Sequence, residues 1–391
     1  MSELRRRAWL CREGWYYLGV LAFIVGGAVL RGVNLLVVLA GMLIAPLLLN
    51  WRLVMASLRG LEYRRRAPSR VAAGIPVSID IEVANHRRYL SSRLLLIEDS
   101  IIAKRPLPGE RPVRPSAMLA EVPPLQVSTG SYRITIPRRG RYILGPLRLS
   151  TRFPLGLVKS TMSIDMPHEL LVTPHLGRLL PQWQQVLLTA SHGDQERHPQ
   201  QGTSEGDYYG LRPWQSGDSR RWIHWRTTAK VGVLTVRQFE RRRSQDVAIV
   251  LDPYLPANPT LDDLARLELA ISLVATMVAD LALRGHARLL LSLASSKPQT
   301  FVGSSSQLTA GEVHDALAEL APSENPPLAE AIAELSKSDS TIRGALLVIS
   351  TRDYDSTSTN IALQQPLHTG VDRARWICIS DPQLKNWFTL D

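Results

Sequence analysis

Two long apolar runs open the chain. Gly14 to Leu30 is 17 residues without a charged side chain, and Gly32 to Trp51 is 20 more, with Arg31 between them. A helix rising about 1.5 Å per residue needs about 20 apolar residues to cross a hydrocarbon core of about 30 Å. The pattern predicts two transmembrane helices joined by the turn Arg31-Gly32-Val33-Asn34. No small-residue cleavage site follows the first run and the second starts at once, which argues against a signal peptide. Trp9, Trp15, Tyr16, Tyr17 and Trp51 fall where interfacial aromatics are expected.

The texture then changes to short strands. Val77, Ile79, Ile81 and Val83 alternate with Ser78, Asp80, Glu82 and Ala84, the period of a half-buried strand. Leu94 to Ile97, Tyr132 to Ile136, Tyr142 to Leu149 and Leu170 to Thr173 read as further strands, punctuated by Pro and Gly. No helical period interrupts them, so residues 67–175 are expected to form a β-sandwich-like domain. His86, Arg87 and Arg88 read as a solvated turn. A short helix is expected near Pro181 to Thr189, followed by a polar loop from Ser191 to Gly206 without zinc or calcium spacing.

From Val247 onward strands and helices alternate. Val247 to Leu251, Ala287 to Ala294, Ala345 to Ser350 and Trp376 to Ser380 read as strands. Leu261 to Arg284, Ala310 to Leu320 and Leu328 to Leu335 read as helices, with Gly285 stopping the first. This order predicts an α/β domain with a doubly wound parallel sheet. Asp252, Ser350, Thr351, Asp353 and Asp381 would lie at strand carboxyl ends, where such sheets bind ligands.

Charge refines the picture. The 391 residues carry 46 Lys plus Arg against 35 Asp plus Glu, unevenly placed. Residues 1–66 hold ten Arg and three acids, mostly flanking the apolar runs. Positive flanks stay cytoplasmic, so both ends of the hairpin are expected in the cytoplasm, against an inner membrane with anionic lipid. Residues 197–243 hold nine Arg and Lys230 against four acids and need another explanation. Two basic regions with separate causes weaken a nucleic-acid reading. Cys11 and Cys378 exclude a disulfide scaffold and show no metal-ligand spacing.

The densest signal is Gly206 to Arg242. It contains Leu211-Arg212, the turn Gly217-Asp218, Arg221, the run Ile223-His224-Trp225, Ala229 and a strand ending at Glu240. Together with Arg139-Gly140-Arg141-Tyr142, Gly145-Pro146, Phe153-Pro154-Leu155-Gly156-Leu157 and the paired N-terminal spans, this segment resembles the family catalogued as domain of unknown function 58. The resemblance implies a membrane-anchored chain with a β-sandwich-like region and a von Willebrand factor A-like, Rossmann-type α/β domain. It further implies association with a MoxR-type AAA+ ATPase and a transglutaminase-like membrane protein. The role it implies is that of a non-enzymatic adaptor or chaperone-like assembly factor, with no cofactor.

The residues of the segment also carry a physical reading of their own. Gly217 permits a positive φ, and Asp218 is expected to cap a helical stretch from Ser219 to Ala229. Arg212 and Arg221 would pair with Asp207 or Asp218. Trp214, Trp222 and Trp225 supply large apolar area. The segment reads foremost as a packed junction between the β and α/β regions, then as a partner-binding surface, and last as a ligand site. His224 and Asp218 would suit a general-base pair, but no Ser or Cys elbow accompanies them, so a hydrogen-bonded structural His is expected.

Metal-binding members of the A-like fold carry an Asp-x-Ser-x-Ser loop. Here the loop is Asp252-Pro253-Tyr254-Leu255-Pro256, so Tyr254 and Pro256 take the hydroxyl positions. Arg352 beside Asp353 would also disfavour a cation. Asp252 and Asp353 are therefore weak metal candidates, and no metal is expected. The organisation expected is a hairpin over 1–66, a β-sandwich-like domain over 67–175, a connecting motif over 176–245 and the α/β domain over 246–391. The function expected is a membrane-anchored adaptor. The alternative is a module gripping an acidic ligand, a cell-envelope precursor or nucleic acid, through its Arg and Trp residues. A hydrolase or transferase would need a nucleophile or a phosphate cradle that the sequence lacks.

Overall fold

Both apolar runs are helical in the computed structural model, which describes residues 5–32, 34–106, 109–191, 208–239, 247–285, 288–338, 345–352 and 374–390. Helix α1 (Arg12–Arg31) ends at Gly32 in the left-handed region, φ 59°, whose N–H donates to the Ala28 carbonyl. Helix α2 (Asn34–Ser57) follows and contains Pro46. Tyr17 Oη donates to the Leu43 carbonyl at 2.8 Å, stitching the two helices. Both helices are long and apolar enough to span a membrane, and only 11% of each apolar window is buried. A core helix of a water-soluble body would be mostly covered. Here Phe23, Val29, Leu30 and Leu35 are at least 75% exposed.

The chain divides into two units, Met1–His175 with Asp315–Glu319, and Leu176–His314 with Leu320–Asp391. The first is rich in sheet. It begins with β1 (Arg5–Leu10) before the hairpin. After the hairpin come β2 (Leu61–Arg66), β3 (Arg70–Ala72), β4 (Pro76–Asn85), β5 (Ser92–Glu98), β6 (Ile101–Ala103) and β7 (Ser116–Val122). The unit closes with β8 (Val127–Thr135), β9 (Gly140–Leu144), β10 (Leu147–Thr151), β11 (Val158–Ile164) and β12 (His168–Thr173). Three sheets result, ordered β1-β11-β10-β5-β7, β3-β12-β9-β6 and β2-β4-β8. The alternation read in β4 is real: Val77, Ile79, Ile81 and Val83 are buried. They join one core cluster with Leu95, Ile97, Leu144, Leu149 and Leu170.

Several sequence expectations change here. The basic flanks of the hairpin are strands: β1 pairs with β11 and β2 with β4, each over six residue pairs. The single strand expected over Tyr142 to Leu149 is two strands in different sheets. Gly145 at φ 124° and the missing N–H of Pro146 end one ladder and begin the next. The arginines also find inward partners. Arg65, expected in a basic flank, is buried: its guanidinium meets Asp99 Oδ1 at 2.8 Å and the Met166 carbonyl at 2.6 Å. Tyr132 Oη donates to Asp99 Oδ2 at 2.7 Å. Burial first, and the adjacent carboxylate second, push the Tyr132 phenol far above its usual range. Arg87 is not a solvated turn residue. Its Nη1 donates to the Ala56 carbonyl at 2.7 Å and its Nε to Asn85 Oδ1 at 2.9 Å, so it joins the Arg59 N–H on a carbonyl in the last turn of α2.

The second unit opens with β13 (Arg178–Leu179) and α3 (Gln182–Ser191), whose Trp183 stacks on Trp387 with ring centroids 5.5 Å apart. Next come β14 (Tyr208–Pro213), α4 (Trp225–Val231) and β15 (Thr235–Phe239). Its α/β part runs through β16 (Val247–Asp252), α5 (Leu261–Arg284), β17 (Arg288–Leu293), β18 (Gln299–Ser304), α6 (Gln307–Glu319, whose last residues, Asp315–Glu319, belong to the first unit) and α7 (Leu328–Ser338). The unit ends with β19 (Ala345–Ser350), β20 (Arg375–Cys378) and β21 (Phe388–Thr389). Helix α5 carries a capping box between Thr260 and Asp263 and stops at Gly285, φ 69°, as the sequence predicts.

The main sheet is ordered β18-β17-β16-β19-β20. It is not wholly parallel: β18 runs antiparallel to β17. Residues 294–298 between them are too few for a crossover, so the chain turns back as a hairpin. Ala248, Val250, Leu290 and Val348 pack with Leu328, Ala331, Ile332 and Leu335 of α7. Strand residues of opposite parity, Ile249, Leu251, Leu291 and Ile349, are fully buried too, so both faces of the sheet are covered.

Candidate functional site

The Arg- and Trp-rich segment folds on itself. Strands β14 and β15 pair antiparallel, with Arg212 opposite Val236 and Pro213 opposite Thr235. The intervening chain is tied back to β15: Trp214 N–H donates to the Leu234 carbonyl and His224 N–H to the Thr235 carbonyl, both at 2.8 Å. An isolated bridge joins Ile223 to Val236. The result is a small module over 208–239, a hairpin whose loop contains a one-turn 3₁₀ helix, Arg220–Trp222, and α4.

Its centre is one ion pair. Arg212 Nη1 and Nη2 donate to Asp218 Oδ2 and Oδ1, both at 2.7 Å, a fork on a carboxylate. The Gln215 N–H also donates to Asp218 Oδ2 at 2.8 Å. These donors hold the Asp218 carboxyl below its ordinary range, the Arg212 hydrogen bond counting most, and the Asp218 carboxylate raises the guanidinium of Arg212 in turn. Gly217 sits at φ 103°, a conformation that side chains resist, so the turn that delivers Asp218 to Arg212 requires glycine.

The expected helix cap is elsewhere. Asp218 caps nothing, because its oxygens are committed to Arg212 and Gln215. The 3₁₀ turn has Ser219 at its N-cap without a side-chain bond. His224 caps α4 instead: its Nδ1 accepts from the Thr227 N–H at 3.3 Å and lies 2.8 Å from Thr227 Oγ1. His224 and Asp218 therefore have different partners, and the geometry does not assemble them into a general-base pair. Arg221 lies over the Trp222 ring, 5.3 Å from its centroid. Asp207, the other acid considered for these arginines, and Glu240 lie outside the described residues, as do His192, Asp194 and His198.

The tryptophans are not core residues. Trp225 is 66% exposed and Trp214 37%, and Trp222 is half-buried. Val231, Val233 and Leu234 are exposed beside them in the chain. The sequence foremost suggested a packed junction, but the observed exposure leaves apolar area facing outward from a module braced by an internal ion pair.

The strand-end cluster is closed by a residue rather than open to a ligand. Asp252 at the end of β16 is fully buried. Its Oδ2 accepts from Ser350 Oγ at 2.7 Å, Arg352 Nη2 at 3.0 Å and Arg352 Nε at 3.1 Å. The Arg352 guanidinium lies 4.6 Å from the centroid of the Tyr254 ring. Burial pushes the Asp252 carboxyl upward, against the opposing pull of Arg352 and Ser350. The Arg352 guanidinium, with Tyr254 over it, stands on Oδ2 where a cation would otherwise bind, while Oδ1 is buried without a hydrogen-bond partner. Asp353 lies outside the described residues. Asp381 caps a 3₁₀ turn through the Gln383 N–H at 2.8 Å. Among the described residues no group of three His, Cys, Asp or Glu is placed to hold a metal.

Comparison with known proteins adds the following. An uncharacterized protein, YeaD, of Bacillus subtilis (strain 168) is 25% identical over 135 residues, 32% of this chain and 31% of that protein. The chain thus matches under a third of that relative's length. Solved structures give only weak partial likeness. A β-glucosidase from Listeria innocua is 12% identical over 29% of this chain and 16% of its own, with a TM-score of 0.21. The CARDB domain of PF1109 from Pyrococcus furiosus is 10% identical over 29% of this chain and 94% of its own, at 0.19. Such scores carry no inference about activity. The braced module and the sheet that follows it, residues 210–382, match the family model described as a protein of unknown function, DUF58.

Proposed function

We propose that the protein is a membrane-anchored, non-enzymatic adaptor that docks a partner protein through the module at 208–239. The observation that carries this reading is the exposure of Trp225, Trp214, Val231 and Val233 on a module held by the Arg212–Asp218 fork. Exposed aromatic and aliphatic groups on a rigid support are what a protein interface uses as anchors. Arg212, the residue that would otherwise grip an anion, is committed to Asp218, which disfavours the acidic-ligand alternative. The expected partner, from the resemblance, is a MoxR-type AAA+ ATPase, with a transglutaminase-like membrane protein as a further component. The α/β part, read as A-like, serves as a scaffold, with Arg352 standing where such a fold would hold a metal. The hairpin spans the inner membrane, and both units face the cytoplasm.

A photo-crosslinking amino acid placed at Trp225 or Val233 in the full-length chain, in membranes, tests the docking. An adduct with an AAA+ ATPase is expected at these positions and absent from Lys297, outside the module. Adducts with nucleic acid, or none at either position, would overturn the adaptor reading.

A further inference from the structure

The membrane hairpin carries a groove with one polar atom left over. It lies between α2 and the loop that follows β10, with a volume of about 420 Å³. Met42, Pro46, Leu49, Pro154 and Leu155 give it apolar walls, and Asn50 is the polar residue among them. Asn50 is fully buried. Its Oδ1 accepts from the Leu155 N–H at 3.1 Å, which fixes the amide orientation. Its Nδ2 has no hydrogen-bond partner. A buried amide donor without an acceptor is costly, and the apolar walls offer it none.

We propose that this groove binds a glycerophospholipid, with Asn50 Nδ2 donating to an acyl-ester carbonyl. The proposal rests on the reading of α1 and α2 as membrane spans. Depth supports it. Asn50 is 16 residues along α2 from Asn34, about 24 Å at the helical rise, and Trp51 and Arg52 follow at once. That places the amide at the edge of a hydrocarbon layer about 30 Å thick, where ester groups lie. The donor chemistry supports it too. Ester carbonyls accept and do not donate, which matches an orphan N–H. A partner helix would bring carbonyls already satisfied within itself. Arg52 and Arg152, both exposed and each two residues from a groove residue in sequence, suit the phosphate of such a lipid.

The test uses the full chain in nanodiscs of phosphatidylcholine and phosphatidylglycerol doped with a phosphatidylglycerol carrying a diazirine on its acyl chain. Labelling of Met42, Leu49 and Leu155 is expected above that of Phe23 and Leu30, which face the bulk lipid. Excess unlabelled ester-linked phosphatidylglycerol should compete better than its diether analogue, which lacks the carbonyl, by about fivefold in the wild type. That preference should vanish in Asn50→Leu. Leu155→Trp, which fills the groove and keeps Asn50, should lower groove labelling while Phe23 and Leu30 stay labelled. Equal competition by the two lipids in the wild type would overturn the proposal, as would groove labelling indifferent to Leu155→Trp or an adduct between two protein chains at these positions. Failure to label Phe23 and Leu30 as well would overturn the membrane reading along with it.

Discussion

Arg212 and Asp218, six residues apart, meet through two hydrogen bonds of 2.7 Å across the turn that Gly217 permits. The pair turns a flexible loop into a platform, because the same carboxylate also takes the Gln215 N–H. An aspartate whose folded-state pKa is depressed stabilises the structure above its ordinary value of about 3.9, and that contribution is lost as pH falls through the depressed value. Between pH 5 and 8 the module should therefore show no pH dependence from this group, and it should loosen only in strong acid. Asp218→Asn should speed amide exchange at Gln215 by about tenfold at neutral pH, for a charged hydrogen bond discounted by the one-third exposure of Arg212. Hydrogen exchange measured on the full chain checks both expectations.

The exposed aromatic is expected to matter for binding and not for folding. Trp225→Ala should change thermal stability by no more than about 0.5 kcal/mol, as for surface sites generally. Its crosslinked partner should be lost. A destabilisation of about 3–5 kcal/mol would mean that Trp225 is packed in a core after all. Calorimetric melting beside the crosslinking assay separates the two.

At the end of β16 the buried pair gives a sharper stability effect. Arg352→Leu leaves the Asp252 carboxylate unpaired and should cost about 3–5 kcal/mol, whereas Asp252→Asn with Arg352→Leu should recover part of the loss. Titration of the full chain with millimolar Mg²⁺ should give no binding isotherm, since the guanidinium held at 3.0 Å already neutralises the buried carboxylate. A one-to-one isotherm abolished by Asp252→Ala would contradict this.

Membrane topology is open to a direct test. Reporter fusions at Gly60 and at the C-terminus should both report cytoplasm. A signal from the opposite side at either position would refute the proposed orientation.

Local patterns were legible in the sequence, and long-range partners were not. The apolar runs, the alternation in β4, the Gly285 stop of α5 and the strand at Ala345 to Ser350 all follow from local sequence pattern. Arg65 in β2 and Asp99, between β5 and β6, are 34 residues apart, and nothing near either one announces a buried pair. The same is true of Arg87, whose role depends on a helix end 31 residues earlier. In the motif, glycine and an Asp gave the turn correctly. Asp218 forks with Arg212 and the α-helix begins only at Trp225, so the capping position falls on His224. The antiparallel β18 carries no strong strand pattern, because its residues, from Gln299 to Ser304, are half-exposed and weakly apolar.

The two ends of the hairpin have a mechanical consequence. The polypeptide enters α1 from β1 and leaves α2 toward β2, and each strand is laced antiparallel to a neighbour over six residue pairs in the first unit. A pull along the chain on that unit would load these ladders in shear. In that geometry many hydrogen bonds share the strain and must give way together, whereas a ladder peeled from one end yields bond by bond. The apolar hairpin is therefore held like a clevis with two pins, with no slack tether between it and the first unit.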